Sequence, residues 1–322
     1  MKNKTILVTG SAGFIGFHTS KKLLESGVNV IGVDNLNDYY DISLKEARNK
    51  QLFFGSGYTF RNVDITDYSA LEEIIQTYKI DKICHLAAQA GVRYSLINPF
   101  IYEKVNIKGF LNILEVARKN EIQDVIYASS SSVYGNSPMP EYGFSEKQEV
   151  NDQISFYGVT KRSNELMAAA YHSLYGLHMT GLRFFTAYGP WGRPDMAYYS
   201  FVKAINDGET IQVFNNGKMK RDFTYIDDVV AGIITALDKA YPLEIFNLGN
   251  SQTVLLSEFV QIIEKELGKQ ATINYQPLQP GDVLETYADI SHAKNRLLFH
   301  PKTTIESGIH EFVTWYKEYT NK

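Results

Sequence analysis

A glycine-spaced turn, Gly10-Ser11-Ala12-Gly13-Phe14-Ile15-Gly16, separates the apolar run Thr5 to Val8 from the amphipathic stretch Ile15 to Ser26. A strand that turns on glycine directly into a helix is half of a βαβ unit, and the β-branched run Val28 to Val33 completes it. The rhythm continues with a helix over Ala70 to Tyr78, a strand over Lys82 to Leu86, and a helix entered near Pro99 that runs on through Phe110 to Lys119. A strand over Asp124 to Ala128, a helix over Ser163 to Tyr175 and a strand over Met179 to Phe185 follow. Such alternation predicts an α/β fold, a doubly wound parallel sheet of Rossmann type with helices on both faces, over residues 1–186.

After Thr186 the texture changes to the proline and glycine segment Tyr188 to Pro194, and a smaller C-terminal α/β substrate lobe is predicted over 187–225 and 250–322. The helical run Ile226 to Lys239 and the strand Glu244 to Leu248 are expected to rejoin the main sheet, so 226–249 goes with the first domain. With 322 residues, 44% hydrophobic and 21% charged, and no apolar run approaching ~20 residues, the composition is that of a soluble globular protein with no membrane partner. Met1 to Lys4 lead straight into the first strand, which leaves no room for a signal peptide and predicts a cytoplasmic protein. A net charge of −4 with interspersed signs argues against nucleic acid. The single cysteine, Cys84, excludes an internal disulfide, and the seven histidines show no ligand spacing, so no metal is expected.

The glycine turn suits a dinucleotide. Gly10 allows the tight turn, Gly13 lets backbone N–H groups approach a pyrophosphate, Gly16 lets helix pack on strand, and Phe14 and Ile15 begin the helix whose N-terminus carries partial positive charge. Asp34 closes the second strand about 20 residues on, where a carboxylate can accept hydrogen bonds from the adenosine ribose. It would repel a 2′-phosphate, and its neighbours Asn35, Leu36 and Asn37 include no arginine, so NAD is the cofactor expected. Asp64 and Ile65 after the third strand, and Leu86, Ala87 and Ala88 after the fourth, are candidate adenine and cofactor-wall contacts.

Tyr157-Gly158-Val159-Thr160-Lys161 places a phenol and an ammonium one helical turn apart on one face. The neighbouring Lys161 cation, together with the positive nicotinamide of oxidised NAD, would lower the pKa of this tyrosine from its ordinary value near 10 and make it a usable base at neutral pH. Ser129 to Ser132 follow the strand ending at Ala128, the edge at which open α/β sheets place ligands, and a serine there can relay a proton to Tyr157. Read alone, either motif is also an ordinary surface pair or polar turn; behind a nucleotide fingerprint they form a site.

With these residues together the chain resembles an extended short-chain dehydrogenase/reductase and, within that group, the UDP-glucuronate 4-epimerases, over nearly its whole length. The glycine turn, Asp34, the serine run and Tyr157 to Lys161 carry the wider resemblance. Ala90 to Ser95, Gly189 to Met196 and Gly217 to Tyr225 carry the narrower one. It implies NAD-dependent epimerisation at carbon 4 of a UDP-uronic acid: Tyr157 takes the hydroxyl proton as hydride leaves, and a 4-keto intermediate turns over and is reduced on its other face. By the same resemblance Ser130 partners Tyr157, with Ser131 and Ser132 auxiliary, and Lys161 and Ser129 border the cofactor. Thr186 and Arg193 hold the sugar carboxylate, whose rotation would let a β-keto acid lose carbon dioxide. Arg221 meets the pyrophosphate, Gln212 and Phe214 lie around ribose and uracil, and Asp282 is a further ribose candidate, although some relatives carry arginine where this chain has Gln279. Asn106 and Arg93 shape the floor and phosphate side, and the helices near 100–119 and 163–175 pair in a homodimer as a four-helix bundle.

Related dehydratases use an Asp-Glu pair where this chain has Ser131 and Ser132, so water elimination is not expected. The alternatives are a UDP-hexose 4-epimerase, a UDP-glucuronate decarboxylase, and a non-catalytic NAD-sensing regulator on the same fold.

Overall fold

The computed structural model describes residues 1–54, 56–279 and 281–320, so Pro280 of the segment Gln279 to Asp282 lies outside the described residues. Seven parallel strands form the main sheet: β1 (Thr5–Thr9), β2 (Asn29–Asp34), β3 (Tyr58–Asn62), β4 (Lys82–His85), β5 (Asp124–Ser130), β6 (His178–Phe184) and, after three strands outside it, β10 (Leu243–Leu248). Their order is β3-β2-β1-β4-β5-β6-β10, so the winding reverses between β1 and β4. A crevice at that reversal, beyond the carboxyl ends of the strands, is where such sheets hold ligands.

Alternation along each strand builds two cores, as expected where both faces are covered. Leu7, Ile83, Val125 and Tyr127 point to the face covered by α3 (Tyr68–Thr77), α6 (Phe110–Lys119) and α7 (Phe156–Tyr175). Ile6, Val8, Cys84, Ile126 and Ala128 point to the other face, beneath α1 (Phe14–Glu25), α2 (Ile42–Leu52) and α9 (Ile226–Lys239). The helix expected to run from Pro99 to Lys119 is broken up: after α4 (Val92–Ile97), α5 (Pro99–Tyr102) gives way to π-helical Glu103–Gly109 before α6 begins. Helix α7 starts at Phe156 rather than Ser163 because the Ser155 hydroxyl caps it, accepting from the Gly158 N–H at 3.1 Å. The cap puts Tyr157 and Lys161 in the first two turns.

The smaller sheets lie to one side. β7 (Thr186–Tyr188) pairs parallel with β9 (Lys220–Tyr225), β9 pairs antiparallel with β11 (Thr253–Leu255), and β8 (Thr210–Phe214) pairs parallel with β12 (Thr272–Gln276). Helices α8 (Ala197–Asp207), α10 (Leu256–Leu267), α11 (Ser291–Leu297) and α12 (Ile305–Thr320) complete the chain. Trp191, at φ +62°, is wedged among Phe17, Trp315 and Tyr319 with ring centroids 5.3–5.6 Å away, which fastens the segment before Arg193 onto α1 and α12. No described helix is long and apolar enough to cross a membrane.

Candidate active site

Because the strands of the main sheet run parallel, the turns after β1, β2, β4 and β5 open on one edge and share a cleft of about 1210 Å³. That exceeds the ~300–1,000 Å³ typical of a pocket for one small ligand, and leaves room for two ligands end to end.

The cofactor end is built around Gly10, whose φ of +72° and whose approach to β4 both exclude a side chain: a Cβ there would lie 2.8 Å from the Ala87 nitrogen. Gly13 is the N-cap of α1 and offers no capping side chain, so the first-turn N–H groups of Phe14, Ile15 and Gly16 face the cleft without an intrahelical acceptor. A pyrophosphate fits such donors. The Gly13 N–H itself is spent on the Gly10 carbonyl at 2.9 Å, so its neighbours, rather than Gly13, carry the free donors. At the end of β2, Asp34 accepts from the Ala12 and Leu36 N–H groups at 3.2 and 2.9 Å, keeping acceptor capacity for a ribose. Asn35 donates to Asp64 at 3.0 Å, and Asn37 donates to Asn35 at 2.9 Å. Burial pushes the Asp64 carboxyl up, but bonds from Thr66 and Asn35 outweigh it and hold it below the usual range. Ile65, Leu86, Ala87 and Ala88 line the wall between.

At the centre, Tyr157 and Ser130 face each other. Burial raises the Tyr157 phenol above its ordinary value, opposed by the nearby Ser130 hydroxyl and by the charge of Arg193. The depression expected from Lys161 is not found. Lys161 Nζ donates to the Ala128 carbonyl at 2.9 Å, and burial lowers it from 10.5 to about 8. Both groups sit where charge is poorly solvated, so each favours its neutral form in this state. A stability test follows. The cost of burying Lys161 as a cation is present in full below about pH 8 and is relieved as pH rises from there toward 10.5. The melting temperature of Lys161→Met relative to the parent, measured without added cofactor, should therefore fall across that window; a pH-independent difference would mean that Lys161 titrates normally.

Two predicted site residues have their polar groups engaged inside the protein rather than offered to the cleft. Ser129 lines it, but its hydroxyl donates to the buried Glu165 at 2.7 Å, and Glu165 in turn receives Arg183 through Nε and Nη2 at 2.8 and 2.9 Å. Asn106 does not line the cleft at all. Its amide grips the Gln89 backbone at both N and O, at 2.9 and 3.0 Å, and Thr160 at 3.0 Å, tying the β4 turn and α7 together from behind. The π-helix carries Asn106 to that inward position.

The remaining residues form the far end. Ser131, Thr186 and Arg193 all line the cleft, and Arg193 Nε donates to Asp195 Oδ1 at 3.0 Å while Nη2 engages Oδ2. The guanidinium assigned to a substrate carboxylate is thus already paired on one edge. Arg93 stacks 4.1 Å from the Phe214 ring centroid and pairs with Asp282 at 2.8 Å, bridging α4 to the 279–282 segment. Gln212 receives Gln276 at 3.3 Å. Arg221 donates to its own chain at the Lys220 carbonyl, and burial lowers its pKa.

Three further residues are legible only in three dimensions. Lys45 Nζ donates to the Asn37 carbonyl and side chain at 2.6 and 2.9 Å, folding the loop after Asp34. The fully buried Arg48 bonds the carbonyls of Trp191, Gly192 and Ala12 and the Tyr40 hydroxyl, and so ties the cofactor turn to the loop carrying Arg193. Asp195 lies in a segment already singled out, but nothing in its spacing announced the pairing. The α2 helix shows no clear apolar period because its inner face buries Lys45, Arg48 and Asn49 between Leu44 and Leu52.

Residues 6–249 match the NAD dependent epimerase/dehydratase family. The chain belongs to that family. Within it, a protein of Methanocaldococcus jannaschii without assigned function is 55% identical over 99% of this chain and 98% of its own. The UDP-glucuronate 4-epimerase 4 of Arabidopsis thaliana is 45% identical, covering 98% of this chain and 76% of that one. The crystal structure of the UDP-glucuronic acid 4-epimerase of Bacillus cereus, bound to UDP-glucuronic acid and NAD, superposes with a TM-score of 0.92 at 34% identity, covering 98% and 99% of the two chains. This family member is an NAD-dependent enzyme of the nucleotide-sugar epimerase group, and its glycine turn and uncapped helix fit NAD.

Proposed function

We propose that the enzyme epimerises carbon 4 of a UDP-uronic acid, interconverting UDP-glucuronate and UDP-galacturonate through a 4-keto intermediate. The observation that carries this reading is a cation, Arg193, lining the same cleft as Tyr157 and Ser130. When bound, NAD would supply a hydride acceptor and a positive charge that favours the Tyr157 phenolate, the form able to take a proton. Tyr157 takes the proton of the carbon-4 hydroxyl and later returns it, Ser130 hydrogen-bonds the same oxygen, and Lys161 supports both by anchoring α7 to β5 at Ala128. The Arg193 fork and the Thr186 hydroxyl restrain the carboxylate from the perpendicular orientation that releases carbon dioxide. Arg221 and Arg93 lie on the diphosphate side, with Gln212, Phe214 and Asp282 around the nucleoside.

We further read the chain as an NAD-binding domain over 1–186 with 226–249, and a nucleotide-sugar lobe over the rest. A homodimer through α6 and α7 is supported by exposed apolar side chains on these helices and beside them, among them Phe100, Leu111, Leu166 and Leu174. Because Asp195 already engages Arg193, epimerisation of a neutral UDP-hexose is the second reading. Product analysis decides between them. Purified enzyme given UDP-glucuronate and no added cofactor is expected to yield UDP-galacturonate. Faster conversion of UDP-glucose to UDP-galactose would instead establish the hexose activity, a pentose product would establish decarboxylation, and a stoichiometric need for fresh NAD would establish net oxidation.

A further inference from the structure

The pairing of Arg193 with Asp195 engages the Nε and Nη2 edge of the guanidinium, and Nη1 bonds no described residue. Asp195 is fastened from a second side by the Tyr39 hydroxyl, which donates to Oδ2 at 3.4 Å from the loop after β2. The turn after β4 crowds the same place. Gly91, at φ +105°, has its Cβ direction 3.0 Å from the Tyr39 hydroxyl oxygen and 4.0 Å from Asp195 Oδ2. Three loops at the cleft mouth therefore converge on one carboxylate, and side-chain exposures of 19% for Arg193 and 30% for Asp195 leave the pair reachable by a ligand.

A planar guanidinium can take one carboxylate along the edge that Asp195 occupies and further acceptor oxygens at its other end. Asp195 thus has two opposed effects: it fixes the plane of the fork, and its negative charge offsets the field that an arriving anionic sugar would meet. Resting on the reading of a UDP-sugar substrate turned over beside Tyr157, we propose that Asp195 sets the discrimination between charged and neutral sugars, acting as a counter-charge that lowers the preference for a uronate. A bare Arg193 would favour the carboxylate more strongly and suit a neutral hydroxymethyl group less.

The test compares kcat/KM for UDP-glucuronate and UDP-glucose in the parent and in Asp195→Asn, whose amide oxygen still accepts from Nε but carries no charge. The uronate-to-hexose ratio is expected to rise about threefold to tenfold, the scale of one partly exposed ion pair. NAD retention after purification reports that the variant is folded; if Asp195→Asn does not retain it, Asp195→Ser, equally uncharged, carries the same comparison. A ratio that stays constant or falls overturns the role assigned to Asp195, a fall meaning that the acid serves only to aim the arginine. A parent enzyme that converts UDP-glucose and leaves UDP-glucuronate untouched overturns the uronate reading instead, so the two failures are told apart.

Discussion

Tyr157→Phe is expected to bind NAD to the same extent as the parent and to lose turnover by roughly a thousandfold, within the range that general acid and base catalysis contributes. The substitution removes one oxygen and leaves the ring that packs edge-on against Tyr102 with centroids 6.0 Å apart, so the fold has no reason to change. The lost oxygen is the one on which Ser130 and Arg193 oppose the effect of burial. Measuring NAD content beside product formation separates the chemical role from a binding role. Residual activity within tenfold of the parent would refute the assignment of the proton transfer to Tyr157.

The other large effect is expected from a single methyl group at the cofactor turn. In Gly16→Ala the new Cβ would lie 1.9 Å from the Gly10 carbonyl oxygen, a backbone atom that cannot rotate away. Gly10 is held at both ends, its N–H donating to Val33 at 2.7 Å and its carbonyl receiving Gly13 at 2.9 Å. Helix α1 must therefore move off the turn, taking with it the free N–H groups proposed to hold the pyrophosphate. Overpacking of this kind costs about 3 kcal/mol, and loss of the donors should abolish NAD retention. Urea unfolding and the NAD content of the purified protein check both. A variant that keeps its cofactor and its midpoint would show that the turn yields more readily than its bonding implies.

The contrast between α1 and α2 shows what a reader of the chain could find. Helix α1 announces itself through glycine spacing and a strand on either side, whereas α2 buries lysine, arginine and asparagine and so carries no apolar signature. The fully buried Arg48 in α2, which joins the turn at Ala12 to the loop at Trp191, has no motif because its partners are backbone carbonyls supplied by distant segments. Ser129 sat in a recognisable serine run, yet which hydroxyl of that run would face the cleft depended on Glu165, a residue 36 positions away. Spacing places Lys161 one helical turn from the Tyr157 phenol but says nothing of the burial that raises the phenol and lowers the ammonium in this state.

Local periodicity and turn chemistry determined the alternation of strands and helices, the parallel sheet and the cofactor turn, because these depend on neighbours within a few residues. Only the tertiary structure decided that Arg193 is paired with Asp195, that Asn106 points inward and that Arg48 clasps two loops. Those outcomes follow from burial and from contacts between segments far apart in the chain, which no short stretch of sequence encodes by itself.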